Sequence, residues 1–132
     1  MIIAIPQLNY KAGDIQGNSE KIISAIQKAQ NQKAELILFP ELAVSGALPQ
    51  DLLEREEFVN ACRMAVEKIA ATCTQIAAIV GAPNLDSENG IMYNSAYFIQ
   101  HGEVVDGVHK NILSDYDIFS ESRYFIAGED NT

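Results

Sequence analysis

Cysteine occurs only twice in these 132 residues, and nine basic residues face eighteen acidic ones, for a net charge of -9. Each scarcity excludes a class of protein. Cys62 and Cys73 make no disulfide framework in a chain this size, and they lack the C-x-x-C spacing of a metal or redox pair. A phosphate-backbone binder needs a basic face to release counterions, so nucleic acid is not an expected partner. No apolar run is long enough to cross a bilayer, so no membrane is expected either. Residues 1–5 are apolar, but Pro6, Gln7 and Asn9 end that run too soon for a secretory leader. The expected location is the cytoplasm. Neither G-x-x-x-x-G-K-[ST] nor G-x-G-x-x-G occurs, so this segment holds no recognisable nucleotide-phosphate loop. His101 and His109 have no Cys/His/Asp cluster around them, and no metal is expected.

What the chain does have is core material. It is 48% hydrophobic and 20% charged, an ordinary globular composition. That suffices for a core without disulfides or metals. The length allows one domain or a piece of a larger one.

Met1–Gln7 reads as a buried strand and residues 9–17 as a loop. Asn18 is the expected N-cap of a helix whose Ile22, Ile26 and Ala29 recur at helical spacing through about Gln32. Glu35–Phe39 is a second buried strand, ended by Pro40. A loop follows. Asp51 is the expected cap of a helix running to about Thr72, with a break near Glu56 or Glu57 and a stripe of Phe58, Cys62, Ala65 and Ile69. Gln75–Gly81 is a third strand and Ala82–Gly90 a loop. Ile91–Gln100 and Glu103–His109 form a hairpin about His101-Gly102. Strands alternating with helices predict an α/β unit with helices packed on a sheet. Beyond His109 the pattern dissolves.

Two charged residues stand at strand ends, where α/β sheets gather reactive groups. Glu41 lies two residues past an apolar run, a setting that suits a general base. The bland alternative is a solvated loop carboxylate or a capping anion. Lys110 follows the last strand, where an ammonium can stabilise an oxyanion; the bland alternative is a surface lysine. Cys62 falls in the apolar stripe and, like Cys73, reads as a small core hydrophobe, since a nucleophilic thiol wants an electropositive, partly exposed setting.

In combination these positions resemble a known family. Phe39-Pro40-Glu41-Leu42 with Ser45-Gly46 is similar to the glutamate motif of the nitrilase, or carbon-nitrogen hydrolase, superfamily. Ile3 to Asn9, and Gly13-Asp14 with Gly17-Asn18, resemble that family's first strand and the loop after it. Pro49-Gln50-Asp51-Leu52-Leu53 resembles a segment of the glutaminase domain of glutamine-dependent NAD synthetases. Tyr93-Asn94-Ser95-Ala96 matches the strand before the family's lysine. Lys110 with Leu113, Tyr116, Phe119, Glu121, Arg123, Tyr124 and Phe125 resembles the lysine motif and the segment after it.

The resemblance implies a nitrilase-type αββα sandwich, of which residues 1–132 are the N-terminal part of a glutaminase domain. It implies Glu41 as general base, Lys110 as oxyanion stabiliser, and Tyr116, Phe119 and Glu121 as shapers of a glutamine pocket. The family's nucleophilic cysteine comes on a later strand, and neither Cys62 nor Cys73 matches its motif. The second half of the sandwich, and an ATP- and Mg-using synthetase domain that receives ammonia and converts deamido-NAD to NAD, are expected outside this segment. The segment alone is expected to be inactive and, with a sheet face uncovered, to self-associate. Ala47, Leu48, Ser114-Asp115 and Ser120 depart from the synthetase pattern and alter the pocket. Two other readings stand beside this one: a stand-alone hydrolase of another small amide, and a non-catalytic assembly module.

Overall fold

The computed structural model describes residues 1–46, 56–86 and 91–110. The elements are β1 (Ile3–Ala4), α1 (Ile15–Asn31), β2 (Leu36–Leu38), α2 (Glu56–Thr72), β3 (Ala77–Asp86), β4 (Ile91–Gln100) and β5 (Glu103–His109). The strands form one sheet in the order β1-β2-β3-β4-β5. β1, β2 and β3 run parallel, and β3, β4 and β5 antiparallel. The α/β architecture expected from the alternation of apolar patterns is therefore present.

The start of α1 differs from expectation. Asp14, not Asn18, is the N-cap; its carboxylate accepts the Gly17 N–H at 3.0 Å. Asn18 lies inside the helix and is wholly buried. Its amide carries both donor and acceptor, so it can satisfy loop backbone that a capping carboxylate could not. It donates to Lys11 O at 2.9 Å and Val44 O at 3.1 Å, and accepts from Lys11 N at 2.9 Å. The helix stops where Lys33 turns to φ 64°. Ala34 N–H then bonds Ala29 O at 3.0 Å and Lys33 N–H bonds Gln30 O at 3.1 Å, the paired bonds that close a helix end.

Ile22, Ile26 and Ala29 line the buried face of α1, as their spacing predicts. In α2 the buried face takes in Val59, Cys62, Ala65, Val66, Ile69 and Ala70, while Phe58 is only half-buried. It is broader than the expected stripe because α2 meets α1 as well as the sheet. The expected cap Asp51 lies outside the described residues, and so does the chain just before Glu56, where the description of α2 begins. Both helices share one core with Ile37 of β2, Ala78, Val80 and Ala82 of β3, and Ile99 of β4.

Strand lengths also depart from expectation. Only Ile3 and Ala4 of the first apolar run pair with a neighbour. β3 instead outruns its expected end at Gly81 and continues through Pro83 to Asp86, paired with β4. Its ladder with β2 stops at Ile79. Beyond that point no described strand pairs with β3 on that side, and a position there tolerates a residue with no N–H to donate. The expected Asn89-Gly90 turn lies outside the described residues. The β4–β5 hairpin matches expectation, with His101 (φ 55°) and Gly102 (φ 80°) both in the left-handed region that a two-residue turn requires.

Candidate active site

β2 ends at Leu38, and Phe39 N–H still bonds Ile79 O at 3.0 Å before the chain turns away. The turn that follows carries Glu41. It lies on Gly81 of β3, whose missing side chain would have pointed into it. A β-carbon there would sit 2.5 Å from Leu42 N, 2.6 Å from Pro40 O and 2.7 Å from Glu41 Cα. Val80 and Ala82 point the other way, into the helix-covered core, since successive strand residues alternate faces. The Glu41 turn thus lies over the opposite face.

Leu42 has φ 54°, an uncommon conformation for a branched side chain. It is held by what comes after: Val44 N–H bonds Gly81 O at 3.2 Å, and Asn18 grips Val44 O. Ala43, Val44 and Ser45 are buried. The turn is anchored on both sides of the glutamate, and its carboxylate projects outward with 61% of the side chain exposed. Its surroundings are set by its polar neighbours rather than by the apolar packing that the sequence suggested.

The first of those neighbours is Lys110, just past β5. Lys110 Nζ lies 3.1 Å from Glu41 Oε2 and 3.4 Å from Oε1. The lysine backbone is fixed by a 2.7 Å bond from its N–H to Asn94 O. The two residues singled out at strand ends are therefore brought into contact, although 69 positions separate them.

The structure adds residues that sequence reasoning passed over. Asn94 on β4 is 2% exposed, and its Nδ2 donates to Glu41 Oε2 at 3.4 Å. Next to it, Ser95 Oγ is 2.6 Å from His109 Nδ1, and the His109 ring stacks on Tyr93 with centroids 3.9 Å apart. Burial holds the His109 imidazole below its ordinary value of 6.5. By sequence alone, Tyr93, Asn94 and Ser95 are only part of a matching strand, and His109 is the last residue of a hairpin strand. Pairing across β4 and β5, which places Ser95 opposite His109, is what turns them into a cluster beside Lys110.

Cys62 and Cys73 are both free and wholly buried. Burial pushes the Cys62 thiol up to about 12 and raises that of Cys73, against a smaller opposing hydrogen bond from Thr72. A thiol in such a setting is a core side chain and not a nucleophile. Tyr116, Phe119 and Glu121 lie outside the described residues. Among the described residues no group of three His, Cys, Asp or Glu side chains is placed to hold a metal ion.

Known proteins resemble this chain in sequence and in fold. Residues 2–130 match the family model for carbon-nitrogen hydrolases. A glutamine-dependent NAD(+) synthetase from Xylella fastidiosa is 40% identical over 124 residues, covering 93% of this chain but 22% of that protein. The crystal structure of a glutamine-dependent NAD(+) synthetase from Cytophaga hutchinsonii superimposes with a TM-score of 0.91 at 28% identity, over 98% of this chain and 22% of the other. An amidase from Nesterenkonia sp. superimposes at 0.81 with 29% identity, over 97% of this chain and 48% of its own. Another structure of that amidase, of the nitrilase superfamily, shows acrylamide added at its active-site cysteine. The five-stranded mixed sheet and its helices are thus a nitrilase-type fold, and the chain spans about a fifth of the length of the curated relatives it matches (22%).

Proposed function

The chain belongs to the carbon-nitrogen hydrolase family, and from that premise we propose that Glu41 and Lys110 are two members of a glutaminase centre. The observation that carries the reading is their contact at 3.1 Å. A single ion pair whose carboxylate stands mostly in water adds little stability, about 0–1 kcal/mol, so fold stability alone gives little reason to bring the two charges together. The resemblance to NAD synthetases supports glutamine as the amide.

In this reading the Glu41 carboxylate takes the proton of a cysteine thiol, whose sulfur bonds to the amide carbon of glutamine. The carbonyl oxygen becomes an oxyanion and is stabilised by the Lys110 ammonium. The C–N bond breaks, Glu41 returns its proton to the departing nitrogen, and ammonia leaves. Water then adds to the thioester with Glu41 again taking a proton, and the C–S bond breaks to release glutamate and the thiol. By the family resemblance, Tyr116, Phe119 and Glu121 are assigned to the glutamine pocket. By the family resemblance the nucleophilic cysteine comes on a strand later than Lys110, the buried Cys62 and Cys73 do not take its place, and residues 1–132 alone are expected not to turn over. The ammonia serves a synthetase domain that amidates deamido-NAD to NAD. ATP and Mg belong to that domain.

The test is glutamine-dependent ammonia release by the full-length protein, set against residues 1–132 alone. Activity that Glu41→Gln or Lys110→Met removes is the expected result. Glutamine hydrolysis by residues 1–132 alone would overturn the assignment of the nucleophile. A second reading, hydrolysis of another small amide, is favoured by the likeness to the Nesterenkonia amidase and by Ala47, which stands where the synthetases resembled carry an aromatic. A panel of small amides that the full-length protein cleaves in preference to glutamine would establish it.

A further inference from the structure

We infer that Asn94 is the positioning residue of this site, setting the Glu41 carboxylate and the Lys110 ammonium against each other; the inference rests on the glutaminase reading above. Three observations carry it. Asn94 is 2% exposed, whereas the Glu41 side chain is 61% exposed. Its side-chain amide donates to Glu41 Oε2 at 3.4 Å, the same oxygen that lies 3.1 Å from Lys110 Nζ. Its backbone carbonyl accepts the Lys110 N–H at 2.7 Å. One buried residue on β4 therefore touches both charged residues, one through its side chain and one through its main chain.

The physical need is clear from the exposures. A glutamate has three rotatable bonds, and one whose carboxylate stands mostly in water samples many orientations. General-base work requires a single orientation toward the thiol proton. Lys110 alone does not supply it, because an ammonium is a point charge on a flexible stem and follows the carboxylate wherever it goes. A primary amide on a buried strand residue is directional and does not move. It is also uncharged, so it fixes Oε2 without competing for the proton that Glu41 exchanges. The 3.4 Å separation is at the long end of the hydrogen-bond range, as such contacts commonly are before substrate closes the site. Asn94 faces Pro83 in the β3–β4 ladder, and its neighbour Ser95 is tied to His109, so the strand beneath the amide is held on both flanks.

The experiment compares full-length wild type with N94D and N94A for kcat, KM for glutamine, Tm and the pH profile. N94D keeps the shape and the backbone bond to Lys110 but turns the donor into a carboxylate, which repels Glu41 and draws the ammonium toward itself. The expected result is a fall in kcat of up to ~100-fold for both variants, with KM little changed. N94D alone should regain part of its rate as pH falls and the introduced carboxyl becomes protonated, since it then donates again. N94A, which cannot donate at any pH, should show no recovery. A merely structural role would lower Tm and activity together, with no pH-dependent rescue, and that outcome overturns the inference. So does an unchanged kcat in either folded variant. If N94D does not fold, N94A decides alone, a loss of kcat at wild-type Tm being the supporting result. A wild type without amidase activity overturns the glutaminase reading itself and this inference with it. An active wild type with indifferent Asn94 variants overturns the inference alone.

Discussion

Gly81 and Glu41 are packed backbone to backbone: a β-carbon at position 81 would lie 2.7 Å from the Glu41 α-carbon. The other two close atoms, Leu42 N at 2.5 Å and Pro40 O at 2.6 Å, are also backbone, so no side chain can swing aside to make room. The glycine is what lets the turn after β2 settle on the sheet. Gly81→Ala should therefore destabilise by roughly 1–3 kcal/mol, the usual cost of overpacking. It should also lower glutaminase activity by more than the loss of folded protein explains, because the displaced atoms carry the base. Urea unfolding and kcat measured on the same preparation check both effects.

Glu41→Gln and Lys110→Met should separate stability from activity. The Glu41 carboxylate stands mostly in water although Lys110 is only 27% exposed, so Glu41→Gln should change stability by about 1 kcal/mol or less. Loss of a general base or an oxyanion partner should cost on the order of 10²- to 10⁴-fold in kcat. Loss of fold stability in step with activity would mean that the pair is structural.

The two thiols should be silent in the folded protein. With the Cys62 thiol pushed up to about 12, its thiolate is scarce at pH 8, and burial denies an alkylating reagent access. Iodoacetamide should label Cys62 and Cys73 slowly in buffer and rapidly in denaturant. A Cys62→Ala, Cys73→Ala protein should keep its glutaminase activity while losing stability to the vacated volume.

His109 gives a pH signature with a defined sign. Burial lowers its folded value below 6.5, so just below pH 6.5 the unfolded chain binds more protons than the folded one. Stability then rises with pH through that window and is lost as pH falls from about 6.5 toward the lower folded value. His109→Phe keeps a ring to stack on Tyr93 but cannot titrate. The difference in unfolding free energy between wild type and this variant should shrink below pH 6.5 and level off above it. A flat difference would mean that the imidazole titrates alike in both states.

Residues 1–132 alone should self-associate. Among the described residues β1 and β5 are the outer strands of the sheet; Ile3 on β1 and Val104 and Val105 on β5 are exposed, and Ile2 and Ile5 beside β1 are exposed with them. Edges that combine unpaired backbone with apolar side chains recruit further strands. Sedimentation across a concentration series should show species larger than monomer, and a monomer at all concentrations would show that these edges do not recruit one another.

Much of this fold was legible from local pattern. The hairpin about His101-Gly102, the helical face of Ile22, Ile26 and Ala29, and the order of strands and helices all follow from periodicity and turn chemistry, which act over a few residues. The inert character of Cys62 followed in the same way, from its place in an apolar stripe. The extent of β3 did not, because whether Pro83 is tolerated depends on which side of the strand lacks a partner. Nor did Asn18, whose role as a clamp depends on Val44, 26 residues away. Glu41 and Lys110 could each be singled out at a strand end, but as isolated charges each had a bland alternative. What the local sequence leaves apart, sheet pairing joins: β2 beside β3, β3 against β4 and β4 against β5 bring the two residues into contact, with Asn94 touching both. Local sequence determines which segments are strands and helices, because those preferences are paid for within each segment. A site made of residues 41, 81, 94 and 110 exists only once hydrogen bonding across strands has fixed the register, and that is a property of the folded chain.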